Sequence, residues 1–152
     1  MWPVYLVLTL FNWTRAQSDT ATRNYNLIDP FIGSVNGGNV FAGTSLPFGM
    51  AKAVADVSGQ NTAGWAYDFT NVTRISALHV SGTGGQPSQG NFPLSVQTTC
   101  TGESIVDCRF GSKYERAVDY RAGTARATPG YFALGLQDGV DVEMTVTEHR
   151  AL

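Results

Sequence analysis

The sequence predicts an all-β fold, an antiparallel β-sandwich. Short apolar segments recur at spacings of about 8 to 12 residues and are separated by Gly, Pro and Asn, which is typical of sandwiches and barrels. Charged residues make up 14% of the chain and there are 17 glycines, whereas soluble domains usually contain about 25% charged residues. No long segment has a helical period, and no internal repeat is present. These observations favour a single β-rich domain.

The first half of the chain contains one strand that is predicted from alternation. Residues 18–26 are polar and are expected to form a loose lead-in, and the apolar residues 43–50 are expected to pack under a sheet edge. Residues 50–57 then alternate, with small apolar side chains on one face and Lys52 and Asp56 on the other. A period of two predicts a half-buried strand, with Asp56 in solvent.

The middle of the chain is predicted to form three further strands. Residues 64–68 would be a short strand that carries Trp65 and Tyr67, followed by strands at 75–80 and 92–98. Trp65 and Tyr67 are two residues apart, so their rings would lie on the same face of the strand.

The last third contains the most regular alternation. The scattered charges of residues 110–126 favour exposed strands. A Pro-Gly turn at 129–130 precedes a strand at 131–136, and a turn at 137–139 leads into residues 140–147. This last segment alternates Val or Met with Asp, Glu or Thr, which predicts a strand with one buried face.

The amino terminus predicts export. Residues 1–18 contain an apolar run that is too short to cross a bilayer, and Thr14 and Ala16 precede a possible cleavage position, so a signal peptide is expected; a buried strand is the alternative. Cys100 and Cys108 would close a small disulfide loop worth about 2–3 kcal/mol. Asn71 begins a glycosylation sequon. We therefore expect a secreted, extracellular protein.

The composition argues against two classes of partner. The formal net charge is −2, and Lys and Arg do not cluster, so nucleic-acid binding is not expected. No membrane association is expected either, because no apolar run is long enough.

The glycine-rich stretch 75–94 is the candidate binding segment. His79, Ser81 and Gly82 lie where a strand gives way to a loop, and such loops present polar groups to ligands. The alternative is a mobile surface loop with a packed His79. Trp65 could stack on a sugar in a mostly apolar cleft, although an aromatic side chain in a sandwich core is the alternative.

The residues alone do not predict an enzyme. Ser81 is not in a nucleophile elbow, because His79 replaces the first glycine of that pattern. Residues 82–87 fail the dinucleotide fingerprint, since Pro87 stands where the third glycine belongs. The spacing of the carboxylates does not single out an acid/base pair.

Four segments, taken in order, resemble the amino-terminal domain of glycoside hydrolase family 92 α-mannosidases. They are residues 28–33, 44–50, 75–84 and 129–147. The resemblance implies a supersandwich-like β-domain, residues 19–152 here, that is incomplete at its carboxyl end and precedes a helical catalytic domain. It also implies calcium-dependent cleavage of α-mannosides with inversion.

The resemblance assigns no catalytic or metal-binding residue to this chain, because the acid, the base and the calcium ligands of the family belong to the helical domain. Trp65, His79, Ser81 and Gly82 are the expected substrate-binding residues. α-Mannoside glycans and the helical domain in cis are the expected partners. Two alternatives stay open: a stand-alone carbohydrate-binding module, and an inactive structural remnant.

Overall fold

The protein forms two antiparallel β-sheets. The computed structural model describes residues 19–58, 63–79, 92–97, 104, 108, 112 and 114–148. Within these residues, one sheet has four strands in the order β1-β2-β3-β4, and the other has three strands in the order β5-β6-β7. The predicted all-β fold is therefore confirmed.

All neighbouring strands pair in the antiparallel sense. The strands are β1 (Thr44–Ser45), β2 (Lys52–Val57), β3 (Asn71–Ser76), β4 (Val118–Asp119), β5 (Arg126–Thr128), β6 (Tyr131–Gly135) and β7 (Asp141–Thr145). An isolated bridge between Tyr120 and Leu136 links the two sheets, and β1 and β2 pack against β6 and β7.

The β6–β7 hairpin follows its sequence pattern closely. The Leu136 amide donates to the Val140 carbonyl at 2.7 Å, and Gly139 takes a positive φ of 84° in the turn. Met144 and Val146 are buried, while Asp141, Glu143 and Thr145 face solvent. The predicted turn and the predicted one-sided burial are both confirmed.

The predicted loose lead-in was wrong. Residues 19–26 are helical. Asp19 and Arg23 are four residues apart, a spacing at which opposite charges support a helix turn, and Ala21 and Arg23 are good helix formers. The helix is exposed along its described length, and the Tyr25 hydroxyl donates to the Pro129 carbonyl at 3.4 Å.

The predicted strand at 64–68 was also wrong. Gly64 has a φ of 86°, which turns the backbone away from an extended path. Its carbonyl accepts the Val57 amide at 3.0 Å, and the Tyr67 amide donates to the Ser34 carbonyl at 2.9 Å. The segment is a bent connection that covers β2 rather than a strand of either sheet.

Two other strands lie elsewhere than predicted. β3 begins at Asn71 and ends at Ser76, earlier than the expected segment 75–80, of which Val80 lies outside the described residues. Residues 92–97 contribute one isolated bridge, between Leu94 and Ile75. The charged segment before β5 contributes the short strand β4.

The core lies between the sheets and under the bent connection. Trp65 and Phe132 are its largest fully buried side chains. Small residues of β2 and apolar residues of β6 and β7 complete it. The bridge at Tyr120 brings the two sheets into one continuous core.

Candidate functional site

A buried charge cluster joins β2 to β3. Asp56 is 5% exposed, and its Oδ2 accepts hydrogen bonds from Arg74 Nε at 3.0 Å and from Ser76 Oγ. Its Oδ1 lies 2.7 Å from His79 Nε2. The prediction that Asp56 faces solvent was wrong.

The register of the sheet explains this cluster. Asp56 is directly opposite Arg74 in the β2–β3 pair, and Ser76 is two residues further along the same face. His79 follows β3 and folds back over β2. Gly64 covers the ring from the other side, because a Cβ there would lie 2.6 Å from His79 Nε2.

Both ring nitrogens of His79 face hydrogen-bond acceptors. Nδ1 lies 2.9 Å from the Lys52 carbonyl oxygen, and Nε2 faces the Asp56 carboxylate. His79 therefore has no nitrogen left for a ligand in this arrangement.

The cluster keeps Asp56 ionised. Burial raises the pKa of the Asp56 carboxyl, but the hydrogen bond and the charge of His79 lower it, as do the Ser76 hydroxyl and the Arg74 charge. The pKa of Asp56 ends below its usual value. With the carboxylate and the imidazole both buried, the cluster can hold the end of β3 against β2, and it presents no acid or base to a substrate.

Trp65 lies in the core. Its side chain is 0% exposed. The ring centroids of Tyr120 and Phe132 lie 5.1 Å and 5.2 Å away, and those of Tyr67 and Phe31 lie 6.1 Å and 6.4 Å away. The indole consequently has no face open to a sugar in this chain, and its role as a sugar ligand stays a prediction without geometric support.

The other predicted site residues divide into two groups. His79 packs against Gly64, the residue before Trp65, and is 4% exposed, so its contact with substrate stays a prediction. Ser81 and Gly82 lie outside the described residues, so their predicted contacts with substrate stay predictions.

The two predicted modification sites stay predictions as well. Asn71 is half-buried at the start of β3, and the hydroxyl of Thr73 is buried and donates to the Asp56 carbonyl at 3.1 Å. Cys108 is disulfide-bonded, while Cys100 lies outside the described residues.

A strained turn presents an aromatic ring to solvent. The Gly49 amide donates to the Leu46 carbonyl at 2.9 Å, with Pro47 and Phe48 at the centre of the turn. Phe48 has a φ of 62°, at the position where a type II turn favours glycine. The side chain is 106% exposed.

More exposed apolar side chains lie at this end of the four-stranded sheet, where β1 ends, β2 begins and β3 ends. Phe92, with a φ of 56° and an exposure of 81%, lies two residues before Leu94, which is bridged to the end of β3. The surface, here called the apolar end, consists of Leu46, Phe48, Met50, Leu78, Phe92 and Leu94, all exposed. The expectation that residues 43–50 pack under a sheet edge was wrong for this part of the segment.

Comparison with known proteins identifies the family. Residues 27–152 match the model of the glycosyl hydrolase family 92 N-terminal domain. The chain belongs to family 92. The predicted resemblance is confirmed.

Three relatives of this family 92 domain illustrate the match. An "uncharacterized secreted glycosidase" from Arthroderma benhamiae is 54% identical over 126 residues, which cover 82% of this chain and 16% of that protein. A family 92 α-mannosidase from Bacteroides thetaiotaomicron, solved with mannoimidazole, is 27% identical with a TM-score of 0.61 over 82% of this chain and 17% of its own. The structure of a further family 92 glycosyl hydrolase is 20% identical, with a TM-score of 0.66, and the match covers 82% of this chain and 17% of that one. This likeness supports the fold.

The family 92 domain described here spans about a sixth of the length of these relatives. Among its described residues, no group of three or more His, Cys, Asp or Glu side chains is arranged to hold a metal ion. No chemical step is assigned to calcium in this chain.

Proposed function

We propose that this domain is the non-catalytic, amino-terminal part of a secreted, calcium-dependent, inverting α-mannosidase. It docks through the apolar end onto the helical catalytic domain and helps to shape the substrate cleft for α-mannoside glycans. Family membership and the 27% identity to a solved α-mannosidase support the reaction class. The general acid, the general base and the calcium ligands belong to the catalytic domain in this proposal.

The apolar end carries the proposal. A phenylalanine with a positive φ is a backbone outlier, and such strain of about 1–3 kcal/mol persists where the surroundings or a function require it. Phe48 and Phe92 combine this backbone with nearly complete exposure. Burial of each ring against a partner would contribute about 1.5–3 kcal/mol, which offsets the strain once the domains associate.

The buried charge cluster supports the cleft from within. It ties His79 to β2 through Lys52 and Asp56, so it fixes the chain at the start of the glycine-rich stretch and beside the apolar end. In this proposal His79 and Trp65 position the glycine-rich stretch, and Ser81, Gly82 and their neighbours contact the sugar.

Secretion is proposed on two grounds. The relative from Arthroderma benhamiae is named a secreted glycosidase, and the sequence predicts a signal peptide. The described residues contain no helix that is long and apolar enough to cross a membrane.

The deciding experiment measures turnover of an aryl α-mannoside, with and without a calcium chelator, by this chain alone and by a longer protein in which the helical domain follows it. We expect turnover by the longer protein only, and loss of that activity with the chelator. The first product spectrum should show β-mannose as the anomer released. Turnover by the 152-residue chain alone would overturn the division of roles, and a retained anomer would overturn inversion.

A further inference from the structure

We propose that the outer face of the three-stranded sheet binds a neutral sugar ring in a groove above β6. The groove has a volume of about 170 Å³, and none of its lining residues belongs to the charge cluster or to the apolar end. This groove is inferred from its own lining residues and does not depend on the mannosidase proposal.

Two residues with small or absent side chains form the floor of the groove. Ala133 and Gly135 are alternate residues of β6 and so share one face. Ala133 is opposite Arg126 of β5 and Glu143 of β7. Because neighbouring strands are about 4.8 Å apart, these two long side chains rise from backbones roughly 10 Å apart. That separation leaves room for one pyranose ring over the alanine.

An ion pair closes one end of the groove. The Arg121 guanidinium lies over Gly135, donates from Nη1 to the Leu136 carbonyl at 3.0 Å, and is paired with Asp141. A Cβ on Gly135 would lie 2.8 Å from Asp141 Oδ1. The glycine is therefore needed for the pair to lie across β6, and the backbone contact fixes the guanidinium in place.

An aromatic residue closes the other end. The pKa of the Tyr131 hydroxyl is raised by desolvation and by the nearby Glu143 carboxylate, while the Arg126 charge lowers it, so these three side chains lie close together at this end. Tyr131 presents an amphipathic ring at the edge of the floor, of the kind that stacks on the apolar face of a sugar.

The charges of the groove select the class of ligand. Two guanidinium groups and two carboxylates balance, so neither an anion nor a cation is attracted as a whole. Each of these planar groups offers paired donors or acceptors, which match neighbouring hydroxyls on a sugar.

The test titrates the full chain with methyl α-mannoside, methyl α-glucoside and methyl β-galactoside, and follows saturation transfer to the sugar by NMR. We expect millimolar binding of at least one of them. Ala133→Leu fills the floor, and Arg126→Met removes one wall; each should weaken binding at least tenfold. Arg23→Met, on the exposed amino-terminal helix, is the matched control and should leave binding unchanged.

Melting curves of all variants show whether they fold. If Ala133→Leu does not, Arg126→Met decides, because its side chain is exposed. Absence of saturation transfer for the folded wild type, or binding that both variants retain, would overturn the proposal. Stronger binding of a glucuronide than of any neutral sugar would overturn the ligand class. None of these outcomes requires turnover, so failure here is distinguishable from failure of the mannosidase proposal.

Discussion

Phe48 shows how a single residue can be unfavourable for the isolated domain and useful to an assembly. Its positive φ is destabilising by about 1–2 kcal/mol relative to glycine, and its ring is in solvent. We expect Phe48→Gly to raise the free energy of unfolding of the isolated chain by about 0.5–1 kcal/mol, because relief of strain exceeds the entropy lost with glycine. Urea denaturation measures this.

The same substitution should act in the opposite direction in a longer protein that contains the helical domain. There it removes a buried ring, so α-mannosidase activity or the cooperativity of melting should fall. Tyr114→Ser removes an exposed aromatic ring outside the apolar end and is the control. Equal effects of the two substitutions on activity would contradict the docking role of Phe48.

A substitution at Trp65 tests whether this residue belongs to the core or binds sugar directly. We expect Trp65→Ala to lower the free energy of unfolding by about 3–5 kcal/mol, as for other buried aromatic residues, because it leaves a cavity between Tyr120 and Phe132. Denaturant unfolding followed by circular dichroism provides the measurement. An unchanged midpoint would mean that the indole is dispensable for folding and would favour a direct role in binding.

At the scale of the elements, the charge cluster is what holds β3 to β2 beyond their backbone ladder. Removal of one partner from a buried ionic group costs about 3–5 kcal/mol, because the remaining charges lose their compensation. Asp56→Asn should therefore destabilise the domain by about 3 kcal/mol. Asp138→Asn, in the exposed β6–β7 turn, should have little effect.

The cluster also predicts how stability depends on pH. The pKa of Asp56 is lower in the folded state than its usual value of about 3.9, so the unfolded state binds the proton more readily. The contribution of Asp56 is complete above about pH 4 and is lost as the pH falls from there through the folded pKa.

Urea unfolding at a series of pH values between neutrality and about pH 3 tests this dependence. The wild type should lose more stability across that range than Asp56→Asn does. Parallel pH profiles for the two proteins would show that Asp56 does not carry the acid sensitivity. The Asp138→Asn variant supplies the baseline for removal of an unrelated carboxyl.

At the scale of the whole molecule, the apolar end should limit solubility. Six exposed apolar side chains at one end form the kind of surface that marks an interaction site and otherwise promotes aggregation. We expect the isolated chain to self-associate in light scattering, and Phe48→Ser with Met50→Ser to reduce this without lowering the melting temperature. A monodisperse wild type at high concentration would contradict the prediction.

The sequence by itself determined the β class, the β6–β7 hairpin and the family. Alternation in residues 140–147 reports which side chains share a face, and turn residues report where the chain reverses, since both depend on neighbours a few residues away. The short motifs that resemble family 92 are equally local, and the comparison with known proteins confirmed them.

Only the tertiary structure decided which faces are covered. Asp56 was expected in solvent because it alternates with the small apolar residues of its strand. Arg74 and Ser76 of β3, together with His79 beyond the end of β3, bury it instead. Trp65 looked available to a sugar, yet it is enclosed by Phe31, Tyr120 and Phe132, from three distant segments, together with its neighbour Tyr67. The burial of a side chain depends on residues far away in the sequence, and local patterns carry no information about them.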